Sequence, residues 1–155
     1  MALDIGELRQ NAEAGSVVAQ STLGICYLYG REVQVDYKQA FELLSAASEK
    51  GASRALVNLA RMFAEGLGTS KNLRKAIRFY KAVANVEPRA QLELGRIYSR
   101  GGGVSVNPEA ALKYYSTIAD TEQGANDAIT AAFVGTLTFA EIEEAKTYVA
   151  KNAKK

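Results

Sequence analysis

The chain of 155 residues contains no histidine, one cysteine and two prolines. Without histidine it lacks the most common general base and metal ligand of enzymes, and the usual partner of a nucleophilic serine or cysteine. This absence argues against catalysis, and we predict neither a metal nor a cofactor. The single cysteine, Cys26, allows no internal disulfide. Two prolines and 48% hydrophobic residues predict a folded helical protein.

Long apolar runs are also missing, since no stretch approaches the roughly 18 residues of a membrane span. The N-terminal segment 1–7 is polar and acidic, unlike a signal peptide, although a signal already removed would leave no trace. We therefore expect a cytoplasmic protein. The formal net charge of +2 predicts no strong preference of the whole chain for nucleic acid or membrane.

What the sequence does contain is one pattern that occurs three times, at offsets of 36 and then 35 residues. A fixed period of this size is typical of a solenoid of stacked helix pairs, in which each unit packs only on its neighbours and the product is an extended surface. The recurring positions are Ala19, Leu23, Gly24, Tyr27, Gly30, Asp36 and Ala40; Ala55, Leu59, Ala60, Phe63, Gly66, Asn72 and Ala76; and Ala90, Leu94, Gly95, Tyr98, Gly101, Asn107 and Ala111.

Each copy predicts a helix, a loop and a second helix. In the first copy a helix over 19–29 ends at Gly30, and Asp36 caps a second helix over 37–49. The later copies predict helices over 55–65 and 73–84, and over 90–100 and 108–119, with Asn72 and Asn107 as caps. Asparagine in place of aspartate preserves the side-chain oxygen that accepts the capping hydrogen bond.

The ends of the chain predict incomplete units. Residues 3–14 are predicted to form the second helix of a leading unit, with Leu3, Ile5 and Leu8 covering the first full repeat. Near the C-terminus, 125–134 resembles a first helix, and Thr138 is predicted to cap a last helix over 139–151. The predicted organisation is one repeat domain over 1–155, divided into a leading half-unit 1–15, repeats 16–51, 52–87 and 88–123, and a degenerate capping unit 124–155.

The motif Ala-x-x-x-Leu-Gly-x-x-Tyr-x-x-Gly, followed by a loop with Asp or Asn and then Lys-x-Ala, resembles the Sel1-like repeat, a relative of the tetratricopeptide repeat. The match is clearest at 23–30 and 94–101, whereas the middle copy carries Ala60 for glycine and Phe63 for tyrosine. The resemblance implies an all-α fold, a right-handed α-solenoid of antiparallel helix pairs. It also implies a non-catalytic adaptor or scaffold of a kind common in bacteria.

The resemblance further implies that the first helices line a concave groove. The inward positions are Ser21, Thr22, Ile25 and Tyr29 in repeat one, Val57, Asn58, Arg61 and Glu65 in repeat two, and Leu92, Glu93, Arg96 and Arg100 in repeat three. Arg61, Arg96 and Arg100 would form a basic patch, and guanidinium groups bind carboxylates through paired hydrogen bonds. The hypothesis is that the groove takes an extended acidic segment or the C-terminus of another protein. The alternative is that Glu65 and Glu93 neutralise these arginines and the groove stays empty.

A second candidate surface is a basic stripe on the second helix of repeat two. Residues 52–90 hold eight basic and two acidic residues, for a charge of +6, whereas 1–51 carry −3 from four basic and seven acidic residues. Lys71, Arg74, Lys75 and Arg78 share one helix face, which is expected to be convex. Such a stripe suits an acidic protein, a phosphate-rich polymer or anionic lipid. The alternative is a merely solvated outer face.

These observations predict a protein–protein interaction module that binds a protein or peptide through the concave groove, with an acidic segment as one candidate partner and no nucleic acid. The alternative is a dedicated inhibitor or immunity partner of a single enzyme, and an enzyme is the least favoured class. The loop 66–71 faintly resembles a phosphate loop, but it lacks the Gly-Lys-Ser/Thr ending and follows no strand. The sequence does not determine the partner's identity or the oligomeric state.

Overall fold

The computed structural model describes residues 2–120 and 137–153, and all the regular structure in them is helical. The helices are α1 (Ile5–Glu13), α2 (Val17–Tyr29), α3 (Tyr37–Glu49), α4 (Ser53–Glu65), α5 (Leu73–Val83), α6 (Pro88–Arg100), α7 (Pro108–Asp120) and α8 (Phe139–Asn152). The chain divides into two compact units, Met1–Phe79 and Tyr80–Lys155. The three predicted helix pairs are confirmed as α2 with α3, α4 with α5, and α6 with α7, with every boundary within two residues of its prediction.

The predicted N-caps are all present. The side chains of Asp36, Asn72 and Asn107 each accept a 3.0 Å hydrogen bond from the backbone N–H three residues later. These bonds satisfy N–H groups that would otherwise lack a partner at the start of α3, α5 and α7. One residue in each repeat therefore specifies where its second helix starts.

The loop inside each repeat is closed by a backbone hydrogen bond that the sequence pattern did not reveal. The N–H of the capping residue donates to the carbonyl of the aromatic residue near the end of the preceding helix. The pairs are Asp36 with Tyr27 at 3.0 Å, Asn72 with Phe63 at 2.7 Å and Asn107 with Tyr98 at 2.8 Å. To reach this point the chain must reverse just after the first helix, and Gly30 and Gly66 do so in the left-handed region, with φ of 66° and 73°.

The repeated leucines form the core, as predicted. Leu23, Leu59 and Leu94 are all buried. In the first unit, Leu23 packs in a cluster with Leu44 and Met62. Cys26 is also buried, and burial raises the pKa of its thiol, which agrees with a packing role.

Two buried glycines mark where a first helix touches its second helix. A Cβ added at Gly24 would lie 2.8 Å from Cγ of Leu44, and one added at Gly95 would lie 2.9 Å from Cε1 of Tyr115. Leu44 and Tyr115 are themselves buried, so neither can move aside easily. Glycine at these positions is therefore a packing requirement, and it overrides the helix propensity that favours alanine.

The N-terminal prediction is correct for the helix and wrong for one side chain. α1 begins at Ile5, and Ile5 and Leu8 pack against the core of the first unit. Leu3 precedes the helix and is 44% exposed, so it does not cover the first repeat.

At the C-terminus the predicted last helix is confirmed as α8, and the capping box of Thr138 with Glu141 is present. The predicted helix over 125–134 lies outside the described residues. α8 packs along α7 and touches α6, as α4 packs along α3 and touches α2. Its Ala140, Ala145 and Tyr148 match Ala90, Gly95 and Tyr98 at a constant offset of 50 residues. α8 thus takes the packing position of a first helix rather than of a second one, and Glu144 stands where the other copies carry leucine.

Replacing Gly24 with alanine should lower the free energy of unfolding by about 1–3 kcal/mol, because the new methyl group would overlap Leu44. Helix propensity alone predicts the opposite sign, a gain of about 1 kcal/mol. Chemical denaturation followed by circular dichroism measures the difference. In a double-mutant cycle, Gly24→Ala with Leu44→Ala should cost less than the two single changes added together. Additive costs would show that Leu44 is not the obstacle.

Candidate functional site

The residues predicted for the groove lie on α2, α4 and α6, and they fall into two clusters, one in each unit. Tyr29, Asn58, Arg61 and Glu65 belong to the first unit, and Glu93, Arg96 and Arg100 belong to the second. The two clusters differ in how their charges are paired.

In the first unit, Tyr29 is an exposed aromatic residue held in a defined position. It ends α2 and is 41% exposed. Its hydroxyl donates to Oδ1 of Asn58 at 3.0 Å, and Nδ2 of Asn58 donates to the backbone carbonyl of Arg54 at 2.8 Å. Asn58 itself is buried. Asn58 therefore orients the tyrosine from beneath and does not face solvent as the groove hypothesis expected.

Two guanidinium groups flank the Tyr29 ring. The guanidinium carbon of Arg61 lies 5.1 Å from the ring centroid, and that of Arg31 lies 5.3 Å from it. Both distances are within the range of cation–π attraction. We call Tyr29, Arg31 and Arg61 the Tyr29 patch. The sequence analysis missed Arg31 because it follows Gly30 in the loop, outside the helix to which the groove positions were assigned.

Arg61 also pairs with Glu65, as the alternative to the acidic-groove hypothesis predicted. Its Nε donates to Oε1 at 2.7 Å and its Nη2 to Oε2 at 3.4 Å. This hydrogen bonding raises the pKa of Arg61. The two side chains are 39% and 46% exposed, so the pair stands open to water and to a competing carboxylate.

In the second unit the corresponding arginines are occupied by a carboxylate from the same chain. Arg96 donates from Nη2 to Glu144 at 2.8 Å and from Nη1 to Glu93 at 3.0 Å, and Arg100 donates to Glu144 at 3.3 Å. The Tyr115 hydroxyl donates to Glu144 at 3.1 Å. Bonding to Arg96 lowers the pKa of Glu144, and burial raises the pKa of Tyr115 to about 12.

A second ion pair joins the same two helices, because Arg89 of α6 binds Glu141 of α8 through two hydrogen bonds. Burial works to raise the pKa of Glu141, yet the bonds from Arg89 and from the backbone of Thr138 leave it below its usual value. The sequence analysis did not find these partners. The sequence signal for these partners is the 50-residue offset that aligns α8 with α6. It would have placed Glu141 and Glu144 near the arginines of α6.

Three further positions assigned to the groove are buried and line no open surface. They are Ser21, Val57 and Leu92. Each lies two residues before the repeated leucine and belongs to the core side of its helix, so the predicted inward face was too wide.

The predicted basic stripe is solvent-facing, with one exception. Lys71, Arg74 and Arg78 are exposed. Lys75 is half-buried, and its ammonium lies 4.2 Å from the ring centroid of Phe63 and 5.6 Å from that of Phe79. The opposite side of α5 carries Ala76, which is fully buried, as predicted. The prediction that Lys71 shares a helix face with the other three is wrong, because α5 begins at Leu73 and Lys71 precedes its capping residue Asn72.

Residues 2–120 and 137–153 hold no group of three or more metal-ligating side chains. Across the same ranges, no helix combines the length and the hydrophobicity that crossing a bilayer requires. The loop after Gly66 connects two helices, as its equivalents in the other repeats do.

Comparison with known proteins identifies the family. The Sel1 repeat model matches residues 17–51, 53–85 and 88–120, which is more than half of the chain, and each match lies inside a repeat predicted from the internal spacing. The chain therefore belongs to the Sel1 repeat family. Proteins of this family share a tetratricopeptide-like α-solenoid fold that typically serves as a scaffold, and they mediate protein–protein interactions.

Two solved structures resemble the chain over 96% of its length. One is c5321, a protective antigen of uropathogenic Escherichia coli strains with an SLR fold, with 29% identity, a TM-score of 0.68 and 33% of that protein's length covered. The other is a Sel1 repeat protein from Oxalobacter formigenes, with 29% identity, a TM-score of 0.64 and 98% of that protein's length covered.

Two curated mouse proteins match about half of this chain. "DAP3-binding cell death enhancer 1" is 32% identical over 77 residues, which are 50% of this chain and 15% of the mouse protein. "Protein sel-1 homolog 2" is 35% identical over 77 residues, which are 49% of this chain and 11% of that protein. The chain thus spans only a small part of these relatives.

Changing Glu144 to glutamine should lower the free energy of unfolding at neutral pH by about 1–3 kcal/mol, because Arg96 and Arg100 lose their shared carboxylate. The wild type should also lose stability as the pH falls. A carboxylate whose pKa is lowered by folding stabilises above its ordinary pKa, and that stabilisation disappears as the pH drops through the lowered value.

Urea denaturation at several pH values between about 7 and 3 measures both effects, a range that spans the ordinary carboxyl pKa. The matched control is Glu143→Gln on the same helix, whose pair with Lys146 is more exposed than the pair of Glu144 with Arg96 and should contribute less than about 1 kcal/mol. Equal acid sensitivity of the wild type and Glu144→Gln would contradict the assignment.

Proposed function

We propose that this chain is a non-catalytic interaction module and that the Tyr29 patch anchors a protein or peptide partner on the exposed side of its first helices. The carrying observation is an exposed tyrosine with two guanidinium groups within 5.3 Å of its ring centroid. Tyrosine and arginine dominate the energetics of protein interfaces, because each buries a large surface and keeps a polar end. Membership of the Sel1 repeat family supports the class of interaction module, and the geometry of the Tyr29 patch supports the position of the binding site.

Preorganisation favours binding at this patch. The hydrogen bond from Tyr29 to buried Asn58 fixes the ring before a partner arrives, so less conformational entropy is lost on association. Arg31 and Arg61 are held beside the ring by the same geometry. Little rearrangement is needed for a partner side chain to lie on the ring and meet a guanidinium.

The charge of the patch favours an acidic segment of the partner. Arg31 contacts the Tyr29 ring but pairs with no carboxylate in the described part of the chain. The exposed Glu65 is the only carboxylate there that bonds Arg61, and an incoming carboxylate can displace it at small cost. Both arginines are therefore available to an acidic ligand.

The ion pairs of Arg96 and Arg100 in the second unit restrict the acidic-groove hypothesis to the first unit. Arg96 and Arg100 share Glu144, which is three-quarters buried. A partner would have to displace a bonded and partly buried carboxylate to use them, and that costs more than meeting an open arginine. We therefore assign the acidic partner to the first unit and a structural role to Arg96 and Arg100.

The double change Tyr29→Ala with Arg61→Glu should weaken binding of the native partner by about 2–4 kcal/mol, the range of interface hot spots. This equals roughly a 30-fold or larger increase in Kd. Partners are captured from source lysate on the immobilised full chain and identified by mass spectrometry. Kd is then measured with the purified partner.

The control is Lys38→Glu, which makes the same charge reversal as Arg61→Glu at an exposed residue of α3 outside the patch and should leave Kd within about twofold. Thermal melting of each variant checks that the fold is retained. If the double variant captures the same proteins with the same affinity, the patch is not the binding site. A single captured enzyme whose activity is blocked would support the inhibitor alternative over an adaptor.

A further inference from the structure

Arg74, Lys75 and Arg78 of α5, together with Lys71 just before the helix, form what we call the α5 cationic face, and within the described residues none of them makes an ion pair. The first-helix arginines behave differently, since Arg61 pairs with Glu65 and Arg96 with Glu144. Four cations without a paired carboxylate lie within eight residues of the chain and repel one another. This face is therefore the largest unpaired charge of the first unit.

The face rests on aromatic rings. The ammonium of Lys75 lies over both Phe63 and Phe79, and the guanidinium carbon of Arg78 lies 5.8 Å from the Phe79 centroid. Cation–π contacts of this kind hold a charged side chain in place without neutralising its charge. Two of the four cations are therefore partly preorganised toward an anionic ligand.

The second unit shows how this chain joins a cationic helix to an acidic one. Arg89 and Arg96 lie seven residues apart on α6, and they bind Glu141 and Glu144, three residues apart on α8. Both spacings keep side chains on one helix face. On α5, Arg74 and Arg78 lie four residues apart on one helix face and Lys71 lies just before the helix, and in the described part of the chain none of the three makes an ion pair.

We propose that the α5 cationic face binds an acidic α-helix of a partner protein, with glutamates or aspartates at helical spacing toward Lys71, Arg74 and Arg78. The Tyr29 patch lies on different helices, so the two surfaces are separate. This proposal does not depend on the function proposed for that patch.

The surface chemistry favours a protein over nucleic acid or lipid. Single-stranded nucleic acid binds proteins by stacking bases on exposed aromatic rings, but Phe63 is buried and Lys75 covers it. An interfacial membrane helix inserts large apolar side chains, and within the described residues no large hydrophobic side chain of α5 is exposed. The recognition feature that remains is positive charge arranged along one helix face, which suits an acidic protein segment.

The test uses two synthetic peptides of equal composition, one with glutamates at i, i+3 and i+7 on one face and one with the same residues scrambled around the helix. Fluorescence anisotropy with the full chain gives Kd at low and moderate salt. The proposal expects the patterned peptide to bind about tenfold tighter than the scrambled one. It also expects Arg74→Glu with Arg78→Glu to weaken that binding about tenfold, or 1.4 kcal/mol.

The matched control, Lys38→Glu with Arg54→Glu, makes the same change of net charge in the same unit and should leave Kd within about twofold. The Tyr29→Ala with Arg61→Glu variant should also bind the patterned peptide normally, which separates this site from the Tyr29 patch. Equal binding of the two peptides, or equal loss in the matched control, would overturn the proposal. So would tighter binding to heparin or to phosphatidylserine vesicles than to the patterned peptide.

Discussion

In two of the three repeats, the two helices approach each other at a position that has no side chain. Gly24 lies against Leu44 in the first unit, and Gly95 lies against Tyr115 in the second, each at a distance that leaves no room for a methyl group. The repeated leucine that precedes each glycine is buried. In all three repeats, including the middle one with Ala60, a bond from the N–H of the capping residue to the aromatic carbonyl closes the loop. Packing of this kind fixes the spacing of the motif more strictly than helix propensity does.

Because the packed faces use small and apolar residues, the opposite faces are free to carry charge. The two units differ in how the charged side chains on these faces are paired. In the second unit, α8 packs in the position of a first helix and carries Glu144 where the repeats carry leucine, and its carboxylate bonds the arginines of α6. In the first unit the arginine of the equivalent position bonds only an exposed neighbour. Arg96 thus has a structural role in the second unit. Arg61, at the equivalent position of the first unit, remains available to a competing carboxylate.

An interaction module needs surfaces that are ordered before a partner binds and yet are not already satisfied. The Tyr29 patch meets both conditions through the hydrogen bond to buried Asn58 and the open guanidinium groups. The α5 cationic face meets them through rings that position two cations without cancelling their charge. The first surface joins aromatic and charged contact, and the second is almost purely electrostatic. The two proposals therefore predict partners of different chemistry.

The sequence by itself determined the helical fold, the repeat boundaries, the capping residues and the buried leucines, because each depends on short-range spacing that recurs three times. It also identified Tyr29, Arg61 and the four cations of α5 as candidate residues. Tertiary structure alone decided which arginines are open. Arg31 comes from a loop and Glu144 from a helix 48 residues beyond Arg96, so neither contact follows from the 35- to 36-residue spacing of the motif. The identity of a residue states its charge, whereas only the folded neighbours decide whether that charge is already paired.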